Sequence, residues 1–348
     1  MKTTSAYVTG PYCLEYIEEE LPALGPHDVL IHTDAVGLCH TDLPIFQYRQ
    51  GFGYSSYGYR ENQLIKKPRK FGHEPVGTIV QVGDQVSKFA VGDHVAGYYQ
   101  ESFTTYRVLP EDALLIKIPE IEGVDYRYCL IEPMGCVTNI LDYMRQDEMN
   151  QVGVVGCGYM NLMMISALKS IGVPRVFAVD IRDDKLELAK KYGADVLVNS
   201  TKCDIAEKIF LETGGTFLDS VVEMSGSVKG LETASAMIKY TKQNGSPDGK
   251  NQGRGRIVIT SVYSREEIFP AELASNLVLR CPILDSAHPM STLSFAENYK
   301  VAMDMYVKRE IPIDTMVSHT IPFDRMHEGM MWLENPAEDY IKGVVLFS

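Results

Sequence analysis

The chain has 348 residues, more than the roughly 100 to 200 typical of one domain, so two domains with separate cores are expected. Its 45% hydrophobic and 23% charged content is that of a globular protein, and a formal net charge of -13 argues against nucleic acid, which clustered Lys and Arg would have to hold. The start, Met1 to Tyr7, lacks the apolar core of a secretory signal, no apolar run is long enough to span a bilayer, and seven scattered cysteines without a C-x-x-C pair make no disulfide framework; a cytoplasmic protein with reduced thiols and no membrane partner is the expectation.

The first 130 or so residues carry short alternating runs, such as residues 29–33 and 77–83, bounded by Gly-Asp turns at Gly83-Asp84 and Gly92-Asp93. This predicts a small β-rich domain. Residues 47–70, with tyrosines at 48, 54, 57 and 59, read as a loop. After about residue 138 the rhythm changes to strand, helix, strand: strands at 151–155, 175–179 and 195–198, helices at 161–171 and 183–192, the second stopped by Gly193. Later strands are expected at 220–223, 256–260 and near 277–284, with a polar loop at 243–255. Such alternation predicts an α/β, doubly wound parallel sheet. The tail reads as helix at 294–308 and then mostly helix from 321, closing in a short strand at 343–347.

Gly156-Cys157-Gly158-Tyr159-Met160-Asn161 falls where a strand hands over to a helix. There the first glycine permits the tight turn, the second lets backbone approach a pyrophosphate, and the helix start supplies N–H donors. Asp180 ends the next strand, where a carboxylate accepts hydrogen bonds from an adenosine ribose diol and repels a 2′-phosphate; NAD is therefore favoured over NADP, and Arg182 is grouped with the same site. The third glycine of the usual pattern is Asn161, whose side chain must fit or push the helix back.

Two further stretches gather metal-binding chemistry. Gly37-Leu38-Cys39-His40-Thr41-Asp42 and Gly72-His73-Glu74 supply a thiolate and an imidazole, both good zinc ligands. A catalytic zinc needs a third donor, for which Glu132 and Cys136 are both eligible, and Glu74 can ligate or stand behind the metal. Asp42 is placed to orient a ligand imidazole.

The order Gly37-Leu38-Cys39-His40-Thr41-Asp42, Gly72-His73-Glu74-x-x-Gly77, Val91-Gly92-Asp93-His94-Val95, Glu132-Pro133, the glycine turn and Ile341-Lys342-Gly343-Val344-Val345 resembles the zinc-dependent medium-chain dehydrogenase/reductase superfamily over nearly the whole chain. The resemblance implies a GroES-like catalytic domain, residues 1–138 and 287–348, with a Rossmann NAD-binding domain, 139–286, between its parts. It implies Cys39 and His73 as zinc ligands, Glu132 as the third, Glu74 as an exchangeable carboxylate, and Cys136 as the competitor of Glu132. Residues 97–103 run on without the cysteines that hold a structural zinc in many relatives, so one catalytic zinc and no structural zinc is expected.

The implied activity is hydride transfer between NAD(H) and a secondary alcohol, a polyol or the matching ketone. The alternatives are a ketone reductase for a specialised small molecule and a non-catalytic dinucleotide-binding protein. Thr41 would receive the alcohol proton. The position that carries a relay histidine in many relatives is Pro44, so His40 or water must take over. Relatives are homodimers or homotetramers, and the same is expected here.

Overall fold

The computed structural model describes residues 1–48, 54–55, 58–59, 67–144, 149–240, 254–261, 263, 267–287 and 294–348. Much of the tyrosine-bearing loop and most of the polar loop at 243–255 lie outside them. The chain forms two units: Met1–Met134 with Tyr299–Val307 and Pro312–Ser348, and Gly135–Asn298 with Lys308–Ile311.

In chain order, the first unit opens with β1 (Lys2–Gly10) and β2 (Cys13–Glu20), an antiparallel ribbon. β3 (Asp28–Gly37) leads through a 3-10 turn into the short α1 (Leu43–Phe46), followed by the two-residue pair β4 (Tyr54–Ser55) and β5 (Gly58–Tyr59). Then come β6 (Pro75–Val82), β7 (His94–Gly97), β8 (Tyr106–Pro110) and β9 (Leu115–Lys117), and α2 (Ile131–Tyr143) begins.

The second unit alternates strictly: β10 (Gln151–Val155), α3 (Tyr159–Ser170), β11 (Arg175–Asp180), α4 (Asp183–Lys191), β12 (Val196–Asn199), α5 (Ile205–Glu212), β13 (Ser220–Glu223), α6 (Val228–Met237), β14 (Arg256–Ile259), α7 (Ala271–Arg280) and β15 (Ile283–Ser286). α8 (Phe295–Val307) returns the chain to the first unit, which ends with β16 (Val317–Pro322), α9 (Met326–Glu334) and β17 (Lys342–Leu346).

The chain's last strand lies beside its third: the first unit's sheet runs β16-β17-β3-β6-β7-β9, with β8 also on β3. All of its pairs are antiparallel except β16 with β17. Leu38, Phe71, Phe103, Met330, Tyr340 and Val345 share one core cluster, so the ends of β3, the approach to β6 and the tail meet in the same apolar mass.

The second unit's sheet is all parallel in the order β12-β11-β10-β13-β14-β15. The order reverses between β10 and β13, the point at which doubly wound sheets bind ligands beyond their strand ends. Its central strands β10, β11 and β13 are mostly buried apolar runs because both faces are covered: Val155, Phe177, Leu218, Val221, Met237 and Ile257 belong to one buried cluster. Among the described residues no helix is long and apolar enough to cross a membrane.

Two expectations about the later part of the chain need correction. The apolar run beginning at Leu277 is not strand: Leu277 to Arg280 complete α7, which buries Leu273 and packs Leu277 one turn later against the core while exposing Val278 and Leu279. Cys281 then adopts left-handed φ 47° and ends the helix, and the strand starts at Ile283. In the C-terminal stretch, residues 321–322 close the strand β16, which shortens the expected helix to α9.

Asp219, just before β13, accepts the backbone N–H of Asn150 (3.1 Å) and Gln151 (3.0 Å) and pairs with Lys239 Nζ at 2.9 Å, tying the starts of β10 and β13 together. Both side chains are largely buried, so deleting one leaves an uncompensated charge and two unpaired donors. Asp219→Ala is expected to cost about 3 kcal/mol, read by chemical denaturation; an unchanged midpoint would contradict this role.

Candidate metal centre and dinucleotide site

β3 ends where Gly37 N–H donates to Glu74 O (3.0 Å) and Leu38 N–H to Gly343 O (2.9 Å), which fixes the departure of residues 39–42. Cys39 is extended (φ −120°, ψ 140°), and the 3-10 turn His40–Asp42 brings Thr41 and Asp42 to Gly72 and His73, just before β6. There Gly72 has φ 91°, and a Cβ on it would sit 2.6 Å from the Phe103 ring; glycine is required twice over, by conformation and by space.

Asp42 is buried, accepts Gly72 N–H at 3.3 Å and lies 3.2 Å from His73 Nδ1. With Nδ1–H given to Asp42, Nε2 is left with its lone pair free for a metal. Thr41 Oγ1 lies 3.2 Å from that Nε2 and donates to Cys39 Sγ at 3.2 Å. Cys39, His73 and Glu74 each offer one ligand atom, and the three atoms lie within 4.8 Å of one another. Burial opposes a charged His73 imidazole, but the charges of Asp42 and Cys39 outweigh it and hold the ring well above its ordinary value. One thiolate, one imidazole and one carboxylate are a donor set suited to zinc.

Behind the cluster, Lys342 Nζ is 2.9 Å from Glu74 Oε1 and 2.6 Å from Oε2, and donates to Leu38 O at 2.8 Å. The pair is almost completely buried, with side-chain exposures of 5% and 2%. Burial works against the Lys342 ammonium, yet Glu74 and Cys39 raise its pKa overall. A Cβ on Gly37 would collide with Glu74 Oε2, so the glycine makes room for this carboxylate. His40 is exposed at the start of the turn; its packed surroundings and the Lys342 charge push its imidazole below the ordinary value.

Glu132 sits in the first turn of α2, half-buried, and does not join the group of three. Cys136 is on the same helix but falls in the second unit. Lys342 was missed by the reading of the sequence, although a signal was present: a lone cation within the apolar strand Ile341-Lys342-Gly343-Val344-Val345 must find a partner.

In the second unit Gly156 has φ 85° and donates its N–H to Val179 O at 2.8 Å, turning the chain out of β10. Gly158 precedes α3, and nothing lies within 4 Å of where its Cβ would be, so the backbone there is open to a ligand. Tyr159 and Met160 begin α3 half-buried. Asn161 fits without displacing the helix: it is buried and its Nδ2 donates to Val155 O at 3.2 Å, binding helix to strand where a glycine would merely have allowed close packing. Asp180 is pinned by the N–H groups of Cys157 (2.7 Å) and Arg182 (2.9 Å). The Arg182 guanidinium meets Asp184 at 3.0 and 2.6 Å.

A thiolate-imidazole-carboxylate cluster in a chain that also carries a dinucleotide-type turn points to metal-assisted hydride transfer. Residues 25–120 match the alcohol dehydrogenase GroES-like domain, and residues 160–244 match the zinc-binding dehydrogenase domain. The chain is 28% identical over 342 residues to the L-threonine 3-dehydrogenase of Caldanaerobacter subterraneus subsp. tengcongensis, covering 91% of each protein. It is 26% identical over 363 residues to the erythritol/L-threitol dehydrogenase of Mycolicibacterium smegmatis, covering 92% of this chain and 91% of that one. Its fold matches the 2R,3R-butanediol dehydrogenase of Bacillus subtilis with a TM-score of 0.78 over 99% of both chains, at 20% identity. The chain belongs to the zinc-type medium-chain dehydrogenase/reductase superfamily, oxidoreductases that act on CH–OH groups with zinc and a nicotinamide cofactor.

Removing one member of a buried ion pair is worse than removing both. Lys342→Met is expected to destabilise the protein by about 3 to 5 kcal/mol, and Glu74→Gln with Lys342→Met to recover most of that loss. Equal stability of the single and double variants in denaturant titrations would contradict the pairing.

Proposed function

We propose that the protein is a dehydrogenase holding one catalytic zinc, preferring NAD(H) over NADP(H), and interconverting a secondary alcohol with a vicinal hydroxyl or amino group and its ketone. The observation that carries this reading is the Cys39, His73 and Glu74 cluster, backed by Asp42 and Lys342. The substrate class follows the relatives, whose names give threonine and the tetritols. A zinc ion bound there supplies a Lewis acid that lowers the pKa of the substrate hydroxyl or polarises the carbonyl.

The chain's own residues do the rest. Cys39 and His73 hold the metal, Glu74 completes the set as the carboxylate with a ligand atom within 4.8 Å of both of theirs, and Glu132 serves as a further carboxylate at the start of α2. Asp42 keeps the His73 ring in the tautomer that presents Nε2. Thr41 Oγ1, within 3.2 Å of two of these donors, is the hydroxyl able to take the substrate proton. Pro44 can carry none, so His40, adjoining and exposed, exchanges it with water. The turn through Gly156, Gly158, Tyr159, Met160 and Asn161 receives the pyrophosphate, while Asp180, with Arg182 beside it, binds the adenosine ribose and repels a 2′-phosphate.

Residues 1–138 and 287–348 form the catalytic domain and 139–286 the cofactor domain in this reading. β15 is an edge strand with Leu284 exposed on it and Val278 and Leu279 exposed on the preceding helix, a surface suited to joining copies into a homodimer or homotetramer in the cytoplasm.

A panel of vicinal diols, polyols and threonine, followed by NADH absorbance, tests the activity. Cys39→Ala should lose bound zinc and roughly a thousandfold in kcat, the several kcal/mol that a Lewis acid supplies; wild-type rates from a zinc-free variant would sink the proposal. For cofactor choice, Asp180→Ala should raise use of NADP relative to NAD by roughly tenfold, and an unchanged ratio would contradict the role of Asp180.

A further inference from the structure

Among the described residues four carboxylates are buried: Asp34, Asp42, Glu74 and Glu223. Glu223 is the one in the second unit, it is 0% exposed, and among the described residues no Lys or Arg pairs with it. Three donors hold it. Oε1 accepts Ser225 N–H at 2.7 Å and also the Ser225 hydroxyl, and Oε2 accepts the Tyr263 hydroxyl. Its backbone carbonyl takes Thr260 N–H at 3.1 Å and Thr260 Oγ1–H at 3.0 Å, so the ends of β13 and β14 are tied through this one residue. Burial raises its pKa although all three donors oppose that. A buried acid without a cation is a costly way to stop a strand, and an apolar residue would cost less.

Its position accounts for the expense. Glu223 is in register with Val155, the last residue of β10, so it flanks the point where the strand order reverses. The turn it holds, residues 224–227, lies against the glycine turn: Met224 N–H donates to Val155 O at 3.3 Å, and a Cβ on Gly156 would be 3.2 Å from Ser225 Cα. Gly226 has φ 73° with open space beyond it, and Ser225 is exposed although its hydroxyl is tied to Glu223. Gly230, one turn into α6, keeps the space clear, since a Cβ there would run into Ser225 Oγ. A dinucleotide laid across such a sheet places one mononucleotide over each half. Asp180, at the end of β11, marks the adenosine half, which leaves residues 224–227 facing the other.

We infer that Glu223 is a positioning residue for the nicotinamide half of the cofactor: with Tyr263 it locks residues 224–227 into a rigid wall from which Ser225 and the backbone meet the nicotinamide ribose. This rests on the dehydrogenase reading above.

Two probes separate the halves, NADH and AMP, with binding measured by fluorescence or calorimetry alongside thermal stability without ligand. In Glu223→Ala the Kd for NADH should rise about tenfold or more while the Kd for AMP stays within about twofold. Glu223→Gln, which keeps an acceptor oxygen, should restore part of the loss. Tyr263→Phe removes one hydroxyl and little packing; it should weaken NADH in the same selective way and provides the test should Glu223→Ala fail to fold. An unchanged NADH affinity, or equal weakening of NADH and AMP with falling stability, would overturn the inference and leave Glu223 a stabilising residue only. A wild-type chain that binds neither probe would instead overturn the dehydrogenase reading itself.

Discussion

The first unit depends on the buried pair of Glu74 and Lys342. Its two charges come from the approach to β6 and from the last strand, and its third partner is the carbonyl of Leu38 at the end of β3. Two charges in a low-dielectric interior are tolerated only when each satisfies the other and the remaining donors are paired. That condition holds three distant parts of the chain in one arrangement. The backbone bonds Gly37 to Glu74 and Leu38 to Gly343 add to it, and Gly37 is the residue whose missing side chain leaves room for the carboxylate. Cys39 follows Leu38 and His73 precedes Glu74, so the proposed metal donors are set in place by a knot that lies immediately behind them.

The same logic of a pinned carboxylate recurs. Asp42 is held by Gly72 N–H and orients His73; Asp180 is held by two backbone N–H groups beside the glycine turn; Glu223 is held by Ser225 and Tyr263 at the neighbouring strand end. Backbone N–H groups, hydroxyls and, for Asp42, the His73 ring supply the hydrogen bonds, and among the described residues no lysine or arginine side chain forms an ion pair with any of the three. Glu74 is the exception, with the Lys342 ammonium against both of its oxygens.

Much of this was legible in the residues. Strands at 151–155, 175–179 and 220–223 announced themselves as apolar runs bounded by glycine or polar residues, and the glycine turn fell between a strand and a helix as its chemistry requires. The run at Leu277 was not legible, because a short apolar stretch fits strand and helix equally; the buried Leu273 with Leu277 one turn later gives it a helical inner face, and Cys281 then ends it. The partner of Lys342 is out of reach of any local reading, since it depends on a contact across 268 positions of sequence. For the same reason Glu74 and Glu132 could not be ranked by spacing. Asn161 looked like a flaw in the glycine pattern, and only the bond from its amide to Val155 O turns it into a substitute.

The ligand set at the metal is the central claim, and X-ray absorption at the zinc edge of the wild-type protein tests it most directly. The account predicts a first shell with a single sulfur, from Cys39, the other donors being nitrogen and oxygen from His73, Glu74 and water. A shell with two sulfurs, which would require a second cysteine such as Cys136 in place of the carboxylate, would contradict it.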